Sequence, residues 1–111
     1  MGSGEPGVSL ETSLTLLANP YRRYVLEDLL GWGRSSALPE LTWSVAMRFH
    51  EAGGTDVSRD ALDSIQIRLH HVHLPKLAAA GLIDYDCDRR TADLAAEPVH
   101  VRQLLADASA D

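Results

Sequence analysis

Of the 111 residues only one is cysteine, one lysine and one phenylalanine. Cys87 has no partner for an internal disulfide, which agrees with a reducing compartment. No apolar run approaches the roughly 20 residues that cross a bilayer, so no membrane association is expected. The start, MGSGEPGVS, is polar and Gly-rich, with neither a basic n-region nor an apolar h-region. It reads as a flexible lead-in over residues 1–8 rather than a signal peptide or lipid anchor, ahead of a single cytoplasmic domain over 9–111. Gly-rich phosphate loops, Ser-His-Asp spacing and paired-carboxylate motifs are all missing, which points away from an enzyme and implies no cofactor. There is no internal repeat and no evident small-molecule site.

Positive charge is also scarce. Ten Lys and Arg face sixteen Asp and Glu, a net charge of −6, and Lys76 is the only lysine beside nine arginines. A nucleic-acid-binding domain is usually basic, so this balance weighs against such a partner. What the chain does have is apolar residues, 45% of the total, enough for one modest core.

Capping signals divide that apolar content into helices. Ser9 can cap a first helix with Leu10, Leu14 and Leu17 on one stripe. Asn19-Pro20 starts a second, with Tyr21, Val25, Leu29 and Trp32 on one face and an end near Gly31 to Gly33. After a loop over Gly33 to Leu38, a third helix spans Pro39–Ala52 with Leu41, Val45, Phe49 and Ala52 inward. Ser58 caps a fourth, Ser58–Ala80, with Val57 and Leu62 as a hydrophobic staple and Gly81 as terminator. Pro75 lies inside that span and predicts a kink or a break into two shorter helices. Leu82–Leu94 alternates around the turn Asp88-Arg89-Arg90 and reads as a hairpin. Beyond Pro98, Val101, Leu104, Leu105 and Ala108 suggest a last short helix, although Val99-His100-Val101 also suits a strand.

A helix that ends at glycine and feeds a charged hairpin has the order of a recognition helix followed by a β-wing. The expected fold is therefore a winged helix-turn-helix, mainly α with a small β-hairpin. Residues 70–86, HHVHLPKLAAAGLIDYD, closely resemble the HHVHLPKLxxAGLIDYD signature of an uncharacterised winged-helix domain family abundant in haloarchaea. LLANPYRRYVL, residues 16–26, is family-like too, and the resemblance runs from about Leu14 to about Leu94. The AGLI segment is a looser match, shared with the arsenical-resistance and multiple-antibiotic-resistance type repressors. The resemblance implies a small transcriptional regulator that binds double-stranded DNA, as a homodimer. Abundant Asp and Ala with a single Lys fits the same salt-loving origin, where counterion release contributes little affinity and an acidic surface is less of a handicap.

On a helical wheel of the fourth helix, Leu62, Ile65, Leu69 and Val72 share the inward side, with His73 close to them. Ser64, Arg68, His71 and Pro75 share the outward side, and His70 and Leu74 flank the core near Leu77. The outward face offers Arg68 to guanine and His71 to bases or phosphates. Gln66 and Lys76 sit at its margins, suited to the DNA backbone. Arg89 and Arg90 in the wing turn suit the minor groove or phosphates, but Asp84, Asp86 and Asp88 can instead neutralise them in a surface turn. Arg22 and Arg23 oppose the dipole of the second helix, which either a phosphate or an acidic partner would excuse.

His70, His71 and His73 invite a metal, but one helical turn supplies two ligands where zinc needs three or four, and Cys87, His50 and His100 have no local spacing to complete a site. Packed, hydrogen-bonded histidines joining this helix to the third helix or the wing are the simpler reading. Asp84, Asp86 and Asp88 imitate the start of an EF-hand loop, yet Arg89 stands where glycine is needed and Ala95 where a bidentate Glu is needed. Trp43 lies off the inward stripe of its helix, half-exposed and available to a second subunit. The terminal helices either dimerise the protein or close the core of a monomer. If DNA is not the ligand, the alternative is a winged-helix module that binds another protein, which the −6 charge favours.

Overall fold

A computed structural model describes residues 10–53 and 57–109. The Ser9 cap, the lead-in over 1–8 and loop residues 54–56 lie outside the described residues. Helix α1 is Leu10–Leu16. Helix α2, Pro20–Trp32, starts as its sequence demands: Asn19 Oδ1 accepts from the Tyr21 N–H at 2.9 Å, and Pro20 stands where no N–H is needed. It stops at Gly33, whose φ of 65° is the left-handed conformation that a side chain would strain. Helix α3, Leu38–Glu51, follows a short strand, β1, Ser36–Ala37. Helix α4, Arg59–Arg68, is capped by Ser58 Oγ, which accepts from Ala61 N–H at 3.1 Å. Val57 and Leu62 pack against the core beside this cap, as a hydrophobic staple requires.

The expected irregularity at Pro75 takes a particular form. Leu69–His73 is a π-helical turn, and α5, Leu74–Ala79, continues from it. The Leu74 N–H reaches back five residues to the Leu69 carbonyl. Pro75 has no N–H to give, and its ring would collide with the carbonyl four residues back; the wider turn relieves both. One extra residue rephases the helix. Leu69 and Leu74, five apart, are both fully buried, with Leu77 below them. Val72, expected inward on regular helical spacing, is 39% exposed instead.

Strands β2, Ile83–Asp86, and β3, Thr91–Leu94, form the expected hairpin. Ile83 pairs with Leu94 and Tyr85 with Ala92 on the inner face; Asp84 pairs with Asp93 and Asp86 with Thr91 on the outer. Strand β1 pairs antiparallel with β3, giving the order β1-β3-β2, where a plain loop was expected. The Leu38 N–H extends that edge by donating to the Arg90 carbonyl at 2.8 Å. Helix α6, Pro98–Ser109, decides against a strand at Val99–Val101. The architecture is mainly helical with one small three-stranded antiparallel sheet.

One core joins these elements. Val25, Leu26 and Leu29 of α2 meet Leu41 and Val45 of α3, Leu69, Leu74 and Leu77 of the rephased helix, Ile83 and Ala92 of the hairpin, and Val101 and Leu104 of α6. The buried Asp28 is held by Arg48 at 2.6 Å, and the same guanidinium bonds Glu27 and lies over the Tyr24 ring. Burial works against the charge on Arg48, but these two carboxylates outweigh it and raise its pKa.

Candidate functional site

Ser64, Arg68, His71, Pro75 and Lys76 are exposed along α4, the π turn and α5, and Gln66 is half-buried at their margin. Arg89 and Arg90 are exposed in the hairpin turn. The side chains of Arg68, Lys76 and Arg90 make no hydrogen bond or ion pair among the described residues. Neutralisation by the surrounding aspartates applies to Arg89, whose Nε lies 4.0 Å from Asp86 Oδ2 in an open ion pair worth little. It does not apply to Arg90.

The turn itself is built around Asp86 and Arg90. The Asp86 carboxylate accepts from the backbone N–H groups of Asp88 and Arg89, both at 3.0 Å. Arg90 has a φ of 56°, a left-handed conformation that costs a side-chain-bearing residue about 1–2 kcal/mol. Its N–H donates to the Asp86 carbonyl at 2.6 Å and its own carbonyl accepts from Leu38. The backbone of Arg90 is thus pinned between the hairpin and the start of α3, while its guanidinium stays uncommitted.

Beside it a recess of about 110 Å³ opens between helix and turn, lined by Leu38, Gln66, Ile67, His70, His71 and Arg90. Of the residues singled out from sequence, Gln66, His71 and Arg90 meet here. Ser64, Arg68, Lys76 and Arg89 do not line it. Ile67 and His70 belong to the site and were not expected there. Ile67 is 59% exposed, an isoleucine off the inward stripe and four residues before His71, which was the signal available in the sequence.

His70 ties helix to hairpin. Its Nδ1 and the Tyr85 hydroxyl share a hydrogen bond at 2.7 Å, and the two rings meet edge to face. The His71 ring packs edge-on to it at 4.7 Å between centroids. Burial, then the neighbouring His71 and Arg90, lower the pKa of His70. Burial foremost raises that of the Tyr85 hydroxyl.

His73 faces the other way. It is buried, stacks on Tyr21 at 4.9 Å, and its Nδ1 accepts from Arg22 Nε at 3.1 Å. It therefore joins this helix to α2, not to the third helix or the wing. Burial first, then Arg22, Arg68 and Lys76, push its pKa down to about 4. Arg22 and Arg23 are explained without phosphate or acidic partner: Arg22 donates to the Leu16 carbonyl, and Arg23 to those of Leu17 and Ala18, closing the C-terminus of α1. With His70 on Tyr85 and His73 on Tyr21 and Arg22, the histidines diverge, and no metal-holding group of three or more His, Cys, Asp or Glu occurs among the described residues. No described helix is long and apolar enough to cross a membrane.

Residues 14–93 match the family described as "Domain of unknown function (DUF7344)". The chain belongs to this family. No curated protein and no solved structure matches it. The DUF7344 match runs from within α1 to the end of the hairpin, so every residue of the recess falls inside the family's domain, and α6 falls outside it.

Proposed function

We propose that this DUF7344 domain is a winged-helix DNA-binding protein, a cytoplasmic transcriptional regulator that lays α4 through α5 in the major groove and its hairpin turn on the backbone or minor groove. The recess carries this reading. In a chain of net charge −6, none of its six lining residues is a carboxylate, and Arg90, two histidines and Gln66 surround it. The sheet order supports it as well, because pairing β1 with β3 sets the hairpin turn beside the N-terminus of α3 and the exposed face of α4. Arg68 is free to make bidentate bonds to guanine, His71 to donate to a base or phosphate, and Ile67 to meet a thymine methyl. Gln66, Lys76, Arg89, Arg90 and Ser64 then contact the backbone, fixing register rather than reading sequence.

Acidic residues sit largely off this face. On the hairpin they occupy the outer side, Asp84, Asp86 and Asp93, away from the apolar inner pairs. An Asp-rich surface with one lysine also suits a halophilic cytoplasm, in which phosphate neutralisation adds little and base contacts must supply more of the affinity. Arg68→Ala is expected to weaken binding to the selected DNA site by about 1–3 kcal/mol and to relax base preference at one position. Fluorescence anisotropy on that site checks this. Unchanged affinity would move the readout off Arg68.

A protein-interaction module is the second reading, favoured by the net charge and by Trp43, 53% exposed on α3. Homodimerisation belongs to the proposal too. Helix α6 turns Val101, Leu104 and Leu105 into the core, which leaves Trp43 as the prominent exposed apolar side chain of the described helices for a subunit contact. Trp43→Glu is expected to yield monomers by sedimentation, and a variant that sediments like the parent would remove Trp43 from the interface.

A further inference from the structure

We infer that the recess between α4 and the hairpin turn is a proton-linked oxyanion site that takes one phosphate group, with Arg90, His71 and His70 as donors. It rests on the DNA reading only for identifying that phosphate as one of a duplex backbone.

The lining supplies the chemistry. Four of the six residues, Gln66, His70, His71 and Arg90, carry nitrogen donors, and no acid competes with an anion for them. An opening of about 110 Å³ is far below the roughly 300–1,000 Å³ that holds a drug-sized ligand. It matches a single oxyanion. Arg90 keeps a left-handed φ of 56° with its N–H and carbonyl both bonded, so its guanidinium starts from a fixed point beside the imidazoles. Strain kept by a non-glycine residue at such a point is what a binding turn, rather than a mere connection, is expected to retain.

The same geometry couples binding to protons. His71 and Arg90 both face His70, and every charge they carry disfavours a proton on it, on top of its burial. From β2 only the Tyr85 hydroxyl meets His70, and α3 contributes the uncharged Leu38. A phosphate seated among these groups reverses the sign of the local field and draws a proton onto the histidine pair. Affinity must then rise as pH falls.

The test follows the imidazole signals of His70 and His71 by NMR in the full chain, titrated first with inorganic phosphate and then with a short mixed-sequence duplex. We expect both rings to respond to phosphate, and the duplex to bind about tenfold tighter at about pH 6 than at about pH 8. Arg90→Gln and His70→Gln should each abolish the response and flatten the pH dependence, while His100→Gln, on α6, keeps both. Using two variants guards against His70→Gln acting through the lost Tyr85 bond. A pH-dependent, Arg90-dependent duplex affinity without a response to free phosphate supports the site with DNA as its source. A phosphate response without duplex binding keeps the oxyanion site, assigns it to a free phosphate and removes the DNA reading. Duplex binding of equal affinity at both pH values, with neither imidazole responding, overturns the site and leaves the DNA reading standing. No response to either ligand overturns both.

Discussion

His73 shows how a single buried side chain can set the pH range of the fold. Its pKa in the folded chain is about 4, against an ordinary 6.5, so the folded state holds it neutral. Above 6.5 folded and unfolded chains are both unprotonated there, and the stability is complete. As pH falls from 6.5 toward 4, the unfolded chain takes a proton that the folded chain refuses, and stability drains away by about 2–3 kcal/mol. His73→Phe keeps the stacking on Tyr21 but removes the titration. Chemical denaturation at several pH values should show this window flattened in the variant. A parent-like decline would assign the acid sensitivity to other groups. Arg22 depends on the same contact, since it serves both His73 and the end of α1. Arg22→Ala is expected to cost about 1–2 kcal/mol, read as a lower denaturation midpoint.

Two elements, the hairpin and the π turn, decide the geometry of the site. In the hairpin, Asp84 and Asp93 stand directly opposite each other on the exposed face. Like charges so placed destabilise a strand pair, and molar salt screens them within about 3 Å. Asp84→Asn should therefore raise the melting temperature in dilute buffer, and the gain should vanish in molar KCl. A gain that persists at high salt would mean packing, not charge, explains it. Arg90→Gly separates stability from binding in the same turn: it releases the left-handed strain and removes the guanidinium. The expected outcome is a melting temperature no lower than that of the parent, with DNA affinity reduced.

Most of these elements were legible because each carries local chemistry. Asn19-Pro20, Ser58 and Gly81 are caps whose partners lie within a turn, and the alternation Ile83-Asp84-Tyr85-Asp86 names the two faces of β2. Strand β1 was not legible, because two residues cannot show alternation and their pairing with β3 is distant in sequence. The rephasing at Leu69–His73 was half legible. Pro75 announced an irregularity, but regular helical spacing carried Val72 inward and kept His70 out of the recess, since one inserted residue rotates everything after it. The partners of Arg22 and Arg23 were hidden for a related reason: the α1 carbonyls that receive them become neighbours only once α1 and α2 fold back on each other.

For the whole molecule the question is how a chain of net charge −6 meets a polyanion. Segregation supplies an answer. The outer face of the hairpin carries aspartates, whereas the recess and the exposed face of α4 and α5 carry Arg68, His71, Lys76 and Arg90. High salt weakens both the repulsion and the phosphate attraction, leaving shape and base contacts to discriminate. The most direct measurement is a selection of bound fragments from a genomic DNA library in near-molar KCl, run in parallel on an Arg68→Ala/His71→Ala double variant. Enrichment of a common, palindromic motif by the parent and its loss in the folded variant is the predicted result. No enrichment by the folded parent at any salt concentration would contradict DNA binding through this face and make the protein-interaction reading the better one.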